Sequence, residues 1–327
     1  MTPVGAVLAA RIAREGAISF RDFMEAALYH PEHGYYRRPR DPFGAAGDFF
    51  TAEQVQPVFG ILVAQRVRQL ARAMGDAREF TVVEPGAGRR EMAEAFAEWR
   101  YYPVDIDGGE MPERFRGVVF SNEFFDALPV RAVEYTGGAF RELLVTFEGE
   151  SFHWTAGGAV DPAAERYLTR FFPPPEEGRR YEVPDLEPWV KRIAGGLSEG
   201  WVLTIDYGFT REESIRFPRG TLMGYRRHTA LEDVLAAPGE RDITAHVNFR
   251  ALGGMLEERG FVTERFETLA SMLLRAGEED QFAAALGEGS DAARRRGQLK
   301  QLLFGMGETF RVHLARRDSN RTAVPEK

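Results

Sequence analysis

Cysteine is absent from the 327-residue chain, and so is any long apolar run. Without cysteine there can be no disulfide, thiolate zinc site or cysteine nucleophile, and the composition fits a reducing compartment. No stretch approaches the roughly 18 apolar residues that cross a membrane. The apolar N-terminal patch is interrupted by Arg11 and Arg14, and Val4, Leu8 and Ile12 recur at helical spacing, which favours an amphipathic helix over a signal peptide. We therefore expect a cytoplasmic protein that does not insert into membranes.

Positively charged residues are fewer than negatively charged ones. The chain has 42 Lys and Arg against 50 Asp and Glu, and a net charge of −8, which argues against a protein that binds nucleic acid. None of its 6 histidines stands at a spacing from carboxylates that is typical of a metal site, so no metal is expected. What the chain does have is a 44% apolar fraction with 25 Phe, enough for a large folded core.

Short apolar segments that end in polar or acidic residues alternate with helical patterns. The predicted strands are 80–84, 101–105, 117–121 and 201–206, and a helix over 90–99 is predicted after the first of them. This alternation predicts an α/β fold with a parallel sheet, whose sites lie at the carboxyl ends of the strands.

Other segments have different patterns. Residues 3–30 read as two helices separated at Gly16, with Ser19 as N-cap of the second, and 53–74 reads as a further helix. Residues 130–155 alternate apolar and polar with glycine turns, which predicts an inserted antiparallel hairpin or meander. Residues 246–268 are predicted as a helix followed by a strand, and 278–314 as a helical cap.

The sequence VVEPGAGRREM (82–92) places two glycines between a strand and a predicted helix. Such a turn offers backbone N–H groups to a ligand, and glycine allows the ligand close approach. A dinucleotide site would have its third glycine where Glu91 stands, and that carboxylate would repel a pyrophosphate. S-adenosylmethionine (SAM) has no phosphate. Its pocket needs an acid at the end of the first strand, Glu84, the glycines Gly86 and Gly88, and an acid for the ribose, Asp105. A tight turn without a ligand is the plain structural alternative.

The segment SNEFFDALP (121–129) follows another buried strand at the same edge of the sheet. Asn122 is expected at the cofactor, and Glu123 and Asp126 at the methyl acceptor; the alternative is a helix cap and a surface acid. Methyl transfer requires mainly that donor and acceptor be aligned. Because the guanidinium of an arginine acceptor is charged and planar, paired carboxylates suit it: Glu123 with Asp126, or with Asp206.

Nine segments together resemble the MidA-like family of SAM-dependent methyltransferases, which includes a mitochondrial complex I assembly factor that methylates an arginine. They are ISFRDFMEAALYHPEHGYY (18–36), GDFFTAE (47–53), FG (59–60), EPGAGRR (84–90), SNEFFDALPV (121–130), DYG (206–208), GTLMGYRRH (220–228), PGERDITAHVNF (238–249) and MGETFRV (306–312). They run in family order along nearly the whole chain.

The resemblance implies a class I methyltransferase with a Rossmann-like sheet, an N-terminal helical extension, an inserted antiparallel β element and a C-terminal helical cap. The expected divisions are an extension with an aromatic loop (1–75), the core in two parts (76–130 and 184–272), the insert (131–183), the cap (273–318) and a disordered tail (319–327).

The resemblance further implies that Asp48 and Thr51 help to close the SAM site. It marks Asp206, Asp242 and His246 as substrate-side residues, although Asp242 also reads as an ordinary helix entry and His246 as an ordinary first-turn histidine. The acceptor would be a protein, by family a subunit of a respiratory complex, and the enzyme could form a homodimer.

The sequence departs from the family at the glycine turn, where the third family glycine corresponds to Arg90, and in the short segment after the second strand. The leading hypothesis is a SAM-dependent methyltransferase that modifies a protein side chain, arginine being favoured. The alternatives are a catalytically weak or inactive assembly factor on the same fold and, last, a nicotinamide-dependent oxidoreductase.

Overall fold

The computed structural model describes residues 1–38, 52–75, 79–226 and 229–319. Its helices are α1 Pro3–Glu15, α2 Phe20–Tyr29, α3 Val58–Met74, α4 Pro162–Phe171, α5 Leu186–Gly196, α6 Phe249–Glu257, α7 Leu269–Glu278, α8 Ala283–Leu286 and α9 Ala292–Lys300. Its strands are β1 Ile18–Ser19, β2 Thr81–Pro85, β3 Arg100–Val104, β4 Phe115–Asn122, β5 Val130–Thr136, β6 Ala139–Glu148, β7 Ser151–Ala159, β8 Arg180–Pro184, β9 Leu197–Phe209, β10 Met223–Arg226, β11 Thr229–Leu231, β12 Asp242–Thr244, β13 Val247–Asn248, β14 Val262–Thr268 and β15 Phe310–Arg317.

The chain forms two compact units, each assembled from three separate stretches of sequence. The first unit takes its described residues from 1–50, 126–186 and 209–251, and the second from 51–125, 187–208 and 252–327. Each unit has its own group of buried apolar side chains. In the described part of the chain, no helix is long and apolar enough to cross a membrane.

The second unit contains the predicted parallel sheet. Its strands lie in the order β14-β15-β9-β4-β2-β3; β3, β2, β4 and β9 are parallel, and β15 and β14 are antiparallel to their neighbours. Strands β2, β4 and β9 are buried on both faces, as continuous apolar runs favour. The carboxyl ends of β2, β4 and β9 carry Glu84, Asn122 and Asp206, so the α/β prediction is confirmed.

The first unit contains the predicted antiparallel insert. Strands β5, β6 and β7 form a meander; β8 pairs with β5, and the short β1 pairs with β6. The predicted N-terminal helices are α1 and α2, and the side chain of Ser19 accepts the N–H of Asp22 as the N-cap of α2. Both helices pack their apolar faces into the core of this unit.

Two predictions of helix are wrong. Residues 91–98 form successive turns rather than a helix, because Arg90 has a left-handed φ of 61° and most of the hydrogen bonds that follow join residues three apart. Residues 310–314, predicted within the helical cap, belong to β15, which pairs with both β9 and β14. The helical part of the cap ends at the π-helical turn Gln301–Met306.

Candidate cofactor and catalytic site

The glycine turn follows β2 directly. Gly86 has a φ of 74° and donates its N–H to the Val104 carbonyl over 2.8 Å. A β-carbon at Gly86 would lie 2.7 Å from Cδ2 of Phe124, closer than carbon atoms approach without displacement. Glycine is therefore required here both by the backbone conformation and by the ring packed against the turn. Since no regular helix follows, the turn offers backbone N–H groups without the positive end of a helix dipole.

Gly88 and Asp105 bring the turn and the end of β3 together. The Gly88 N–H donates to Asp105 Oδ2 over 2.5 Å, and Asp105 Oδ1 accepts the Ile106 N–H over 2.6 Å. Arg90, at the third family glycine, has the left-handed conformation that a glycine would adopt. The turn therefore has positive φ at Gly86, Gly88 and Arg90, although an arginine occupies its last position.

Glu84 is almost completely buried, with 1% of its surface exposed. Its Oε2 accepts a hydrogen bond from the Tyr101 hydroxyl. Glu53, in the helical turn Ala52–Gln54, is also buried and hydrogen-bonds to the Glu84 carboxyl. Burial raises the pKa of Glu84 to about 8, against the lowering effect of its hydrogen bonds to Tyr101 and Glu53. Burial, followed by the charges of Glu84, Glu91 and Glu123, raises the pKa of Glu53 well above its ordinary value.

Asn122 is the last residue of β4, and Glu123 follows it directly. The Asn122 amide nitrogen donates to Glu123 Oε1 over 3.1 Å, and the Ala52 N–H donates to the same oxygen over 3.0 Å. Asn122 Oδ1 is buried and accepts no hydrogen bond from the described residues. Glu123 has a left-handed φ of 50°, a strained conformation that is concentrated at functional sites.

Asp206, at the end of β9, holds the segment that follows Glu123. Its Oδ2 accepts the N–H groups of Phe124 and Phe125 over 3.2 and 2.9 Å, and its Oδ1 accepts the Tyr207 N–H over 2.8 Å. The side chain is fully buried. These contacts give Asp206 a positioning role for the turn that carries Glu123.

The other substrate-side candidates belong to the first unit. Asp126 is buried, and its carbonyl accepts the Ala245 N–H over 2.9 Å. Asp242 begins β12, which corrects its reading as a helix entry, and accepts the Tyr36 hydroxyl over 2.9 Å. His246 lies between β12 and β13 with its ring edge-on to Phe217, and burial lowers its pKa.

Seven of the predicted site residues therefore lie in the second unit: Glu84, Gly86, Gly88, Asp105, Asn122, Glu123 and Asp206. Asp126 and His246 lie in the first unit, and Asp48 and Thr51 fall outside the described residues. Sequence reasoning missed Glu53 and Tyr101. In the sequence, Glu53 is a single acid at the end of GDFFTAE, a segment that contributes only to the family resemblance.

The residues of the second unit fit SAM. The turn has the backbone of a close-approach loop, and Asn122 Oδ1 is a buried acceptor with no described donor. The edge carries the carboxyl groups of Glu84, Asp105 and Glu123. Glu91 is ion-paired with Arg89 over 2.6 Å, so this arginine is already engaged by a carboxylate. An acid-rich edge suits a cationic cofactor better than a pyrophosphate.

Comparison with known proteins gives the same cofactor. Residues 91–267, more than half of the chain, match the model of a family described as "Putative S-adenosyl-L-methionine-dependent methyltransferase". A crystal structure of a Burkholderia thailandensis protein bound to S-adenosyl-homocysteine (SAH) is 30% identical, with a TM-score of 0.84, and the match covers 98% of this chain and 93% of that one.

Two curated relatives are named as arginine methyltransferases. The Drosophila melanogaster "Protein arginine methyltransferase NDUFAF7 homolog, mitochondrial" is 26% identical over 93% of this chain and 82% of its own length. The Homo sapiens "Protein arginine methyltransferase NDUFAF7, mitochondrial" is 26% identical over 79% of this chain and 69% of its own length.

Proposed function

Since the chain belongs to this family of SAM-dependent methyltransferases, we propose that it transfers the methyl group of SAM to an arginine side chain of a protein. The observation that carries the acceptor assignment is the position of Glu123. It is a carboxylate in a strained backbone conformation, next to Asn122 Oδ1, a buried acceptor with no donor among the described residues. The names of the curated relatives support an arginine as the acceptor.

When bound, SAM supplies an electrophilic methyl group. The task of the chain is to present the acceptor nitrogen in line with it. Glu123 holds the acceptor guanidinium, because a carboxylate forms strong charge-assisted hydrogen bonds with this cation. Its own orientation is fixed by the Ala52 N–H and the Asn122 amide, and by the Asp206 carboxylate that anchors the next two N–H groups.

Asp126 and His246 are the proposed acceptor-side residues of the first unit. Asp126 is a carboxylate of the kind that suits a guanidinium. His246 is mainly neutral near pH 7, because burial lowers its pKa, and a neutral imidazole can accept the proton that the methylated nitrogen releases. The proposed cofactor contacts are Glu84, Gly86, Gly88, Asp105 and Asn122, with Asp48 and Thr51 as predictions from the resemblance alone.

The variant Glu123→Gln tests the central assignment. It keeps the hydrogen-bond acceptor for Ala52 but removes the charge, so we expect methyl transfer to fall by about 100-fold while the Kd for SAM changes by less than about threefold. Glu98→Gln is the matched control, since Glu98 is an exposed acid of the same unit whose partner is Arg68 at 2.6 Å. Unchanged transfer in Glu123→Gln with intact SAM binding would remove Glu123 from the reaction.

The identity of the acceptor, the assembly state and the compartment are further parts of the proposal. From the family resemblance, the acceptor is a subunit of a respiratory complex and the enzyme is a homodimer. The cysteine-free composition fits a location in the cytoplasm. Mass spectrometry of methylated peptides, sedimentation velocity and cell fractionation test these three points separately. A monomer, or recovery in an organelle fraction, would refute the respective point.

A further inference from the structure

Glu53 is held near the carboxyl ends of β2 and β4, where we propose that SAM binds, by a contact that does not involve its own carboxyl group. The N–H of its neighbour Ala52 donates to Glu123 Oε1 over 3.0 Å. The side chain of Glu53 is only 7% exposed. The turn Ala52–Gln54 therefore places an acid among the carboxyl groups at the ends of β2 and β4 rather than in solvent.

Glu84 Oε1 can accept a hydrogen bond from a protonated Glu53 carboxyl group. Glu84 Oε2 accepts from the Tyr101 hydroxyl, but Glu84 Oε1 is buried and receives no N–H or hydroxyl donor from the described part of the chain. Two ionised carboxylates could not remain hydrogen-bonded at this depth, because a buried charge is costly and like charges repel. A proton on Glu53 provides the missing donor and links the two groups.

The charged and titratable groups that act most strongly on the pair lie in several elements of the second unit. They are Glu91 and Arg90 of the turns after β2, Tyr101 of β3, Asp105 after β3 and Glu123 after β4. Three of these five groups are carboxylic acids, Tyr101 is a phenol whose pKa is raised by burial, and Arg90 is the one cation among the five. Asn122 Oδ1, also buried and without a described donor, adds an unpartnered acceptor to the same edge. The surroundings therefore favour a proton on the pair until another positive charge arrives.

We propose that Glu53 and Glu84 share a proton in the free protein and release it when SAM binds, so that Glu53 makes the site prefer SAM over SAH. SAM carries a sulfonium and has a net positive charge, whereas SAH is neutral overall. A cation near the pair stabilises its ionised form, and a neutral product does so much less. Glu53 is then a specificity-determining residue that lowers the affinity of the site for SAH, the product of the reaction, relative to its affinity for SAM. This inference rests on the SAM dependence of the proposed function.

Isothermal titration calorimetry in buffers of different ionisation enthalpy measures the proposed proton release without any methyl acceptor. For the wild type near pH 7 we expect about one proton released per SAM bound and clearly less per SAH. The ratio of the Kd for SAH to the Kd for SAM should rise with pH, by at most about tenfold per pH unit. Infrared difference spectra should show the carbonyl band of a protonated carboxylic acid in the free protein and its loss on SAM binding.

Glu53→Gln supplies a permanent amide donor in place of the proton. It should abolish proton release and the carboxylic acid band, and it should leave a lower SAM preference that does not change with pH. Glu98→Gln removes one exposed acid from the same unit and should behave as wild type. If Glu53→Gln does not fold, the wild-type proton count and infrared band still decide.

The outcomes separate this inference from the proposed function. SAM binding without proton release, or equal proton release for SAM and SAH, would overturn the role of Glu53 alone. Proton release as expected, but no methyl transfer to protein arginine, would overturn the proposed acceptor alone. If neither SAM nor SAH bound, both would fall.

Discussion

At the scale of single residues, the acids and glycines at strand ends could be predicted from the sequence, because their positions follow from strand periodicity. Glu84, Gly86, Asp105 and Asn122 all lie where a parallel sheet would put them. The role of Glu53 could not be predicted from the sequence, because its partner Glu84 is distant in sequence. Its burial also depends on a turn that has no periodic sequence pattern. Side-chain pairing between distant segments requires the structure.

Gly86→Ala is predicted to affect both stability and the cofactor. Alanine at a φ of 74° should cost about 1–2 kcal/mol in the free energy of unfolding, and its β-carbon should displace Phe124. We expect the Kd for SAM to rise by about tenfold or more, which corresponds to about 1.4 kcal/mol. Denaturant unfolding and calorimetry measure the two effects.

Gly75→Ala is the matched control. Gly75 ends α3 with a φ of 76°, and a β-carbon there would meet nothing within 4 Å. It should show a similar loss of stability with unchanged SAM binding. If both variants bound SAM equally well, the close packing of Phe124 on the turn would have no part in the cofactor site.

At the scale of elements, parallel strands and the antiparallel insert were predicted because their apolar patterns are local. The helix expected over 90–99 failed because the left-handed Arg90 interrupts it, a backbone feature that helical spacing does not report. Residues 310–314 were assigned to the cap although they lie in β15. The place of β15 between β9 and β14 is decided in part by pairing with β9 across more than a hundred residues. Periodicity therefore predicted the centre of the sheet better than its margin.

Gly200→Ala tests how tightly the parallel strands approach. Thr81, Gly117 and Gly200 stand opposite one another on β2, β4 and β9. A β-carbon at Gly200 would lie 1.9 Å from the Gly117 carbonyl oxygen, and the φ of 132° disfavours any other residue. We expect loss of more than about 4 kcal/mol of stability or no soluble protein.

Gly195→Ala provides the comparison for Gly200→Ala. Gly195 lies near the end of α5 with no atom within 4 Å of a β-carbon, so alanine should stabilise the helix by up to about 1 kcal/mol. Thermal unfolding distinguishes the two variants. A stable Gly200→Ala protein would show that β4 and β9 can separate there.

At the scale of the whole molecule, two buried groups of the second unit set opposite pH dependences. Burial raises the pKa of Glu84 to about 8, so its contribution to stability is present below about pH 4.3 and is lost as the pH rises through 8. Burial lowers the pKa of His313, whose Nε2 is 3.0 Å from the Thr263 hydroxyl, to about 4. Its contribution is present above about pH 6.5 and is lost as the pH falls through 4.

The two effects oppose each other between about pH 4.5 and 6.5, and above that range only Glu84 of these two groups still acts. We therefore predict that the free energy of unfolding decreases from pH 6.5 to 8, by at most about 1.4 kcal/mol per pH unit from this group. Glu84→Gln should flatten this decrease, and His313→Gln should reduce the loss of stability in acid. Urea unfolding across pH measures both; an unchanged profile in Glu84→Gln would mean that Glu84 titrates normally.

The most direct test of the account is to identify the amino acid that receives the methyl group. The purified protein is incubated with methyl-labelled SAM and a protein extract from cells that lack the enzyme, and the labelled product is hydrolysed and analysed. Methylarginine as the labelled residue, formed by the wild type and Glu98→Gln but about 100-fold less by Glu123→Gln, is the predicted result. Label on another residue, on a small molecule, or on no product at all would contradict the account.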